Sequence, residues 1–168
     1  MTETKASKRL ATAKKYIDNF AALDQQVLED ILADNYTHTF APASITPNPG
    51  PYDKRGFIGH FTHIGEVMTA FPVTGLEYID SEAASRVTVW ATSRPEWRDD
   101  VKDADADAES EVEWDYRGEY VFFFTMDESG EKIVRTVEFL DSKQTVDRLM
   151  PLMRRARENQ AKRMAGSA

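Results

Sequence analysis

The stretch Ser110–Ser142 reads SEVEWDYRGEYVFFFTMDESGEKIVRTVEFLDS. Two polar–apolar alternations flank Asp127-Glu128-Ser129-Gly130, which is the signature of a β-hairpin turning at Glu128-Ser129-Gly130. A strand over 112–126 carries Val112, Trp114, Tyr116, Tyr120, Phe122, Phe124 and Met126 on one face. Its other face starts polar (Glu113, Asp115, Arg117, Glu119) and turns apolar at Val121 and Phe123. The returning strand alternates Ile133, Arg135, Val137, Phe139 against Val134, Thr136, Glu138, Leu140. Glu138 is thus a carboxylate in the most apolar strand pair of the chain. Its parity places Arg135 on the opposite face and leaves Arg86 or Arg117 as possible salt-bridge partners.

Outward from this hairpin, the chain of 168 residues fits one domain. Its packed part spans about 10–155, with an acidic mobile loop near 95–111 and a basic tail over 154–168. Residues 7–33 repeat apolar side chains at helical spacing, as one helix or as two meeting at Leu23-Asp24 with Asp24 as the cap of the second. Tyr36, His38 and Phe40 share one face of a short strand. The loop 41–52 is rich in proline and glycine and reads as a rim or lid. A second helix over 53–69 has Asp53 as its N-cap, with Phe57, His60, Phe61, Ile64 and Met68 on one stripe. A weak strand over 73–80 and a firm one over 84–93 follow. In the latter, Arg86, Thr88, Trp90 and Thr92 alternate with Val87, Val89 and Ala91. A terminal amphipathic helix starts at Lys143. This order is α+β: a curved antiparallel sheet, cone-shaped, packed around N-terminal helices and closed by a C-terminal helix.

Composition limits the functions. The formal net charge of -8 disfavours nucleic acid as a partner. No apolar run reaches membrane-spanning length. The polar start of the chain and the absence of cysteine are compatible with a cytoplasmic protein. From Asp99 to Asp115 there are nine acids and one lysine. This stretch lacks the central glycine and terminal glutamate of a calcium loop. His60 and His63 have no third ligand at a useful spacing, so no metal is expected. No phosphate-binding glycine loop is present, and no cofactor is expected.

The aromatic stripe either fills a solid core or lines a hollow. The polar atoms of Tyr16, Tyr36, His38, Trp90, Trp114, Tyr116, Tyr120 and Glu138, spread among the rings, favour a hollow, because a dry core would need a partner for each. In such a pocket Glu138 is a proton-transfer group, or else half of a structural pair. Tyr116 and Tyr120, four apart on one strand, can hold an oxyanion or simply pack. His38 can act as an acid, a base or a hydrogen-bond donor, or be a satisfied core histidine.

The segment TFAPAS after a short strand, the run EYVFFFTMDESGEKIVRTVEFLDS and the amphipathic helix behind it resemble the NTF2-like superfamily, in its SnoaL-like branch. The likeness is strongest to fungal members that isomerise, cyclise or dehydrate biosynthetic intermediates, including semipinacolases of spiro-indoxyl alkaloid biosynthesis. The resemblance implies a cofactor-independent isomerase or cyclase acting on a hydrophobic polycyclic metabolite; the alternative is a dehydratase or lyase of the same fold, or a non-catalytic small-molecule-binding or dimerisation module. It implies Glu138, Tyr116 and Tyr120 as catalytic residues. His38 stands where those enzymes carry an arginine, a departure that removes a permanent bidentate cation. Tyr36, Phe40, Phe57, Trp90, Trp114 and Phe122 are the expected walls of the site. A homodimer through the outer face of the sheet is the expected assembly.

Overall fold

The computed structural model describes residues 7–103 and 114–166. Ser7 caps helix α1 (Lys8–Ala22), and Leu23 ends it in the left-handed conformation. Asp24 then caps α2 (Gln25–Ile31) by accepting the Gln26 amide, so the 7–33 stretch is two helices. Strand β1 (Leu32–Ala41) follows directly. The 41–52 loop ends in β2 (Tyr52–Asp53), and Asp53 caps α3 (Lys54–Gly65) through the Gly56 amide, as its position predicts. The loop is pinned to β1. The Phe40 amide donates to the Pro49 carbonyl at 2.8 Å, and Gly50, at φ +107°, lies so close to the His38 carbonyl that a Cβ would sit 2.6 Å from it.

Next come β3 (Met68–Ala70), β4 (Val73–Ser81), β5 (Arg86–Ser93) and β6 (Glu96–Trp97). The hairpin strands are β7 (Gly118–Met126) and β8 (Ile133–Leu140). The turn between them holds Gly130 at φ +73°. It is fastened to α1 by Thr12, whose hydroxyl donates to the Gly130 carbonyl at 2.8 Å. Strand β7 starts at Gly118 rather than at Val112. Residues 114–117 are not strand, and 112–113 lie outside the described residues. Chain order closes with α4 (Ser142–Gln144), a π-helical stretch over Thr145–Leu149, and α5 (Met150–Gly166). Pro151 has no N–H to return to Asp147, which loosens the turn at that point.

The main sheet runs β2-β1-β8-β7-β5-β4. Its neighbours pair antiparallel except β1 and β8, which run parallel with Phe40 opposite Glu138. The sheet is therefore mixed, whereas the sequence pattern suggested a wholly antiparallel one. Parallel partners lie far apart along the chain, and local alternation does not report them. Bulges between Gly75 and Glu77 and between Thr125 and Met126 bend the sheet. A two-stranded ladder, β3 with β6, sits apart.

The stretch read as acidic loop is packed at its near end. Trp97 and Val101 are buried, and Asn159 donates to the Val101 carbonyl at 3.1 Å. Residues 104–111, where loop character was expected, lie outside the described residues.

The concave face of the sheet is closed at one end by α1. Tyr16 packs edge-on against Phe124, with centroids 4.9 Å apart, and against Phe122 at 6.1 Å. Phe20 meets Phe61 of α3 at 5.3 Å. Around Tyr16, Phe122 and Phe124 this end of the cone is solid, and Phe20 and Phe61 stand at its inner limit. Truncating Phe124, which is fully buried, removes a ring from a site that has little room to collapse. Phe124→Ala is expected to lower unfolding free energy by ~3–5 kcal/mol in denaturant titrations, against less than about 0.5 kcal/mol for exposed Met164→Ala.

Candidate active site

The other end of the cone is hollow. A pocket of about 840 Å³ opens there, within the size range of small-molecule sites. Phe40 and Leu140 line it from the sheet, Phe57 and His60 from α3, Ile45 and Thr46 from the pinned loop, and Met150 and Met153 from α5. From the central strands β7 and β8, two polar groups reach its wall, Tyr120 and Glu138. Both have even parity in the hairpin, the parity that faces the helices.

Behind Glu138 lies His38, fully buried, with Nε2 3.2 Å from Glu138 Oε2 at an angle too bent for a full hydrogen bond. The parallel register creates this pair: His38 lies opposite Thr136 and Phe40 opposite Glu138. Two neighbours fix the imidazole. Its ring stacks on Phe57, with centroids 4.1 Å apart and planes 14° apart. The Tyr36 hydroxyl sits 3.0 Å from Nδ1. Burial pushes the Tyr36 phenol well above its ordinary pKa, so it keeps its proton. The contact holds the imidazole from its Nδ1 side, with Nε2 on the side of the carboxylate. Thr136 and Tyr16 complete this polar seam, with hydroxyls that have no hydrogen-bond partner among the described residues. The partner of Glu138 is thus a histidine on β1, not Arg86 or Arg117.

The second polar group rests on a missing side chain. Tyr116, Gly118 and Tyr120 share a parity, and the Tyr116 and Tyr120 hydroxyls meet 3.3 Å apart over Gly118. A Cβ at Gly118 would stand 2.1 Å from the Tyr120 hydroxyl and 2.7 Å from that of Tyr116. Ser93 Oγ lies 2.9 Å from the Tyr120 hydroxyl on its other side. Desolvation raises the pKa of both tyrosines. Tyr120 is consequently a protonated hydrogen-bonding group held by two neighbours at the pocket wall.

Of the expected walls, Phe40 and Phe57 line the pocket, and four residues do not. Trp90 points outward: it is 43% exposed, and its indole N–H donates to Glu119 Oε1 at 2.7 Å. The inward residues of β5 are Val87, Val89, Ala91 and Ser93. Trp114 precedes β7, so strand parity does not govern it. It packs against Trp97, with centroids 5.2 Å apart, under Arg155 of α5. Phe122 and Tyr36 are buried in the solid part behind the wall. His38 and Tyr116 likewise stand behind Glu138 and Tyr120 rather than at the surface of the pocket.

Sequence reading missed Ile45, Tyr52, Leu140, Thr145, Leu149 and the lining face of α5. The apolar positions of α5 were legible, but not the element they face. His60 lines the opening from α3. Desolvation by the surrounding protein lowers its pKa, and the charges of His38, His63 and Arg157 act in the same direction, against Glu138.

No family model matches the chain, and no curated protein matches it. Solved structures do. BvnE pinacolase from Penicillium brevicompactum superposes with a TM-score of 0.68 at 17% identity, over 94% of this chain and 96% of that one. AusH from Aspergillus nidulans gives 0.65 at 20% identity, over 80% and 84%. An NTF2-like protein from Burkholderia pseudomallei K96243 gives 0.64 at 15% identity, over 85% and 98%.

The raised tyrosines have a pH consequence. Tyr16, Tyr36 and Tyr120 are neutral in the fold at pH values where an unfolded chain ionises them. Their contribution to stability is complete below pH about 10, the unfolded value, and is lost as pH rises above it toward the folded values. In an alkaline titration followed by phenolate absorbance, part of the signal from the six tyrosines is expected to appear only together with unfolding seen by circular dichroism. Complete ionisation of all six with the fold intact would contradict the placement of these rings.

The chain has the NTF2-like fold, in the cone-shaped form of the SnoaL-like proteins.

Proposed function

We propose that the protein is a cofactor-independent isomerase or cyclase that rearranges a hydrophobic polycyclic metabolite. One observation carries this reading: a carboxylate and a phenol, each held from behind, reach the wall of a mostly apolar cavity. Apolar walls fold a flexible or strained substrate into one conformer, which lowers the entropic part of the barrier. Glu138 moves a proton to or from the substrate. Tyr120 donates a hydrogen bond to the oxygen on which charge develops. His38 and Tyr116 are positioning residues, acting through Glu138 and Tyr120. The presence of a pinacolase among the similar structures supports a rearrangement. A dehydration on the same site is the second reading, since an acid/base carboxylate serves both.

The product class separates the two. Metabolites of cells with and without the gene are compared, and the accumulating precursor is fed to purified protein. A precursor of the same mass as its product marks isomerisation; one heavier by a water marks dehydration. On that precursor, Glu138→Gln is expected to lower turnover at least about 10²-fold with an unchanged thermal melt. Tyr120→Phe is expected to lower kcat more than it raises KM. Near-normal turnover by Glu138→Gln would sink the mechanism. A stability loss on the order of 3–5 kcal/mol in its place would make the His38–Glu138 pair structural.

We propose, too, that two copies pair through the outer face of the sheet. Across the strands, Ile79, Thr88, Phe123 and Val137 form one outward row, and Trp90, Val121 and Phe139 the next. Ile79, Trp90, Phe123 and Phe139 are each about half exposed in the single chain, and contiguous apolar surface of this kind marks an interface. Light scattering is expected to give twice the chain mass for the wild type and a monomer for Phe123→Asp. A wild-type monomer mass at every concentration would refute the pairing.

A further inference from the structure

The four arginines of α5 divide into two sets. Arg155 and Arg163 serve the fold. Arg155 Nε donates to Asp103 Oδ1 at 3.1 Å, and Arg163 donates to the Lys102 and Asp99 carbonyls at 2.8 and 3.3 Å. They tie one face of α5 to the 99–103 segment. The other face lines the pocket with Met150, Met153, Arg154, Arg157, Glu158 and Ala161, at helical spacing. Arg154 and Arg157 are exposed there and have no ion-pair partner among the described residues. Both stand at the opening of an apolar cavity whose deeper wall carries Glu138.

A substrate that is apolar throughout has no use for two guanidinium groups at the opening. An anionic group inside would meet Glu138 and be repelled. The two facts together allow one orientation for an anion-bearing ligand, with the charge at the opening and the neutral body inside. We propose that the pocket selects an apolar polycyclic molecule bearing one anionic group, a carboxylate or its equivalent, which Arg154 and Arg157 hold at the opening while the uncharged end is delivered to Glu138 and Tyr120. Guanidinium forks match such groups in geometry as well as charge. This inference rests on the pocket being the ligand site; it deepens the reading above by naming the substrate class and its orientation.

Two dyes with one ring skeleton test it: anilinonaphthalene sulfonate, which is anionic, and N-phenylnaphthylamine, which is neutral. Fluorescence titrations at low salt are expected to show the anion bound more tightly, and excess neutral dye displacing it. Arg154→Gln/Arg157→Gln is expected to weaken the anionic dye about tenfold and the neutral dye less than about twofold. Lys15→Gln/Lys162→Gln, which removes the same charge from exposed positions outside the pocket lining, is expected to leave both affinities near wild type. The inference is overturned if the arginine variant weakens both dyes alike, if the lysine variant matches its effect, or if the neutral dye fails to compete. Unaltered turnover by Glu138→Gln would overturn the catalytic reading while leaving a charge preference at the opening intact, so the two failures are distinguishable.

Discussion

A carboxylate placed among aromatic rings must be given a partner or be expelled. In this protein the constraint is met by His38 facing Glu138 across the β1–β8 pair. Much of the surrounding architecture follows from holding that contact. The two strands run parallel so that one face presents both side chains. Phe57 of α3 holds the imidazole plane, and the Tyr36 hydroxyl meets its Nδ1. The cost is a seam of polar atoms through the core, in which the Tyr16 and Thr136 hydroxyls have no hydrogen-bond partner among the described residues. A well-packed apolar pair in the same place would serve stability at least as well. Its retention is better understood as a requirement of the cavity than of the fold.

The same sheet is filled at one end and hollow at the other. At the solid end α1 inserts Tyr16 and Ile17 against the strands, and packing there resembles any protein interior. At the hollow end α5 stands across the opening and contributes flexible methionines and charged side chains in place of rings. The aromatic stripe of β7 crosses both regions: Phe122 and Phe124 belong to the solid part, Tyr120 to the wall of the pocket. Solid core and lined cavity are therefore both correct descriptions of one strand.

What the sequence revealed divides along the same physical line. Helix caps at Asp24 and Asp53, the hairpin turn at Gly130 and the inward parity of Tyr120, Phe122 and Glu138 depend on neighbours in the chain, and they were legible. The His38–Glu138 pair was not, because a parallel register between distant strands has no local signal. Trp90 illustrates a different failure. Its size suggested a wall, but its row-mates Arg86, Thr88 and Thr92 are polar, while Val87, Val89 and Ala91 form the buried row. Parity outweighs bulk on a half-buried strand. For Trp114, parity was applied to a residue that precedes the strand. The lining face of α5 could be recognised as a helical stripe, but what a helix covers is decided by tertiary packing alone.

The parallel pairing also bears on when the site comes into being. Phe40 and Glu138 meet across a span of about a hundred residues, and closing so long a loop is slow relative to helix or hairpin formation. During synthesis, α1, α2 and β1 emerge well before β8, and α5 follows β8. Until β8 docks, His38 has no carboxylate to face, and until α5 follows, the cavity has no outer wall. A nascent chain can thus hold the solid end of the cone in native form while the hollow end does not yet exist. The cavity is completed late, first by β8 joining β1 and then by α5 closing its outer side.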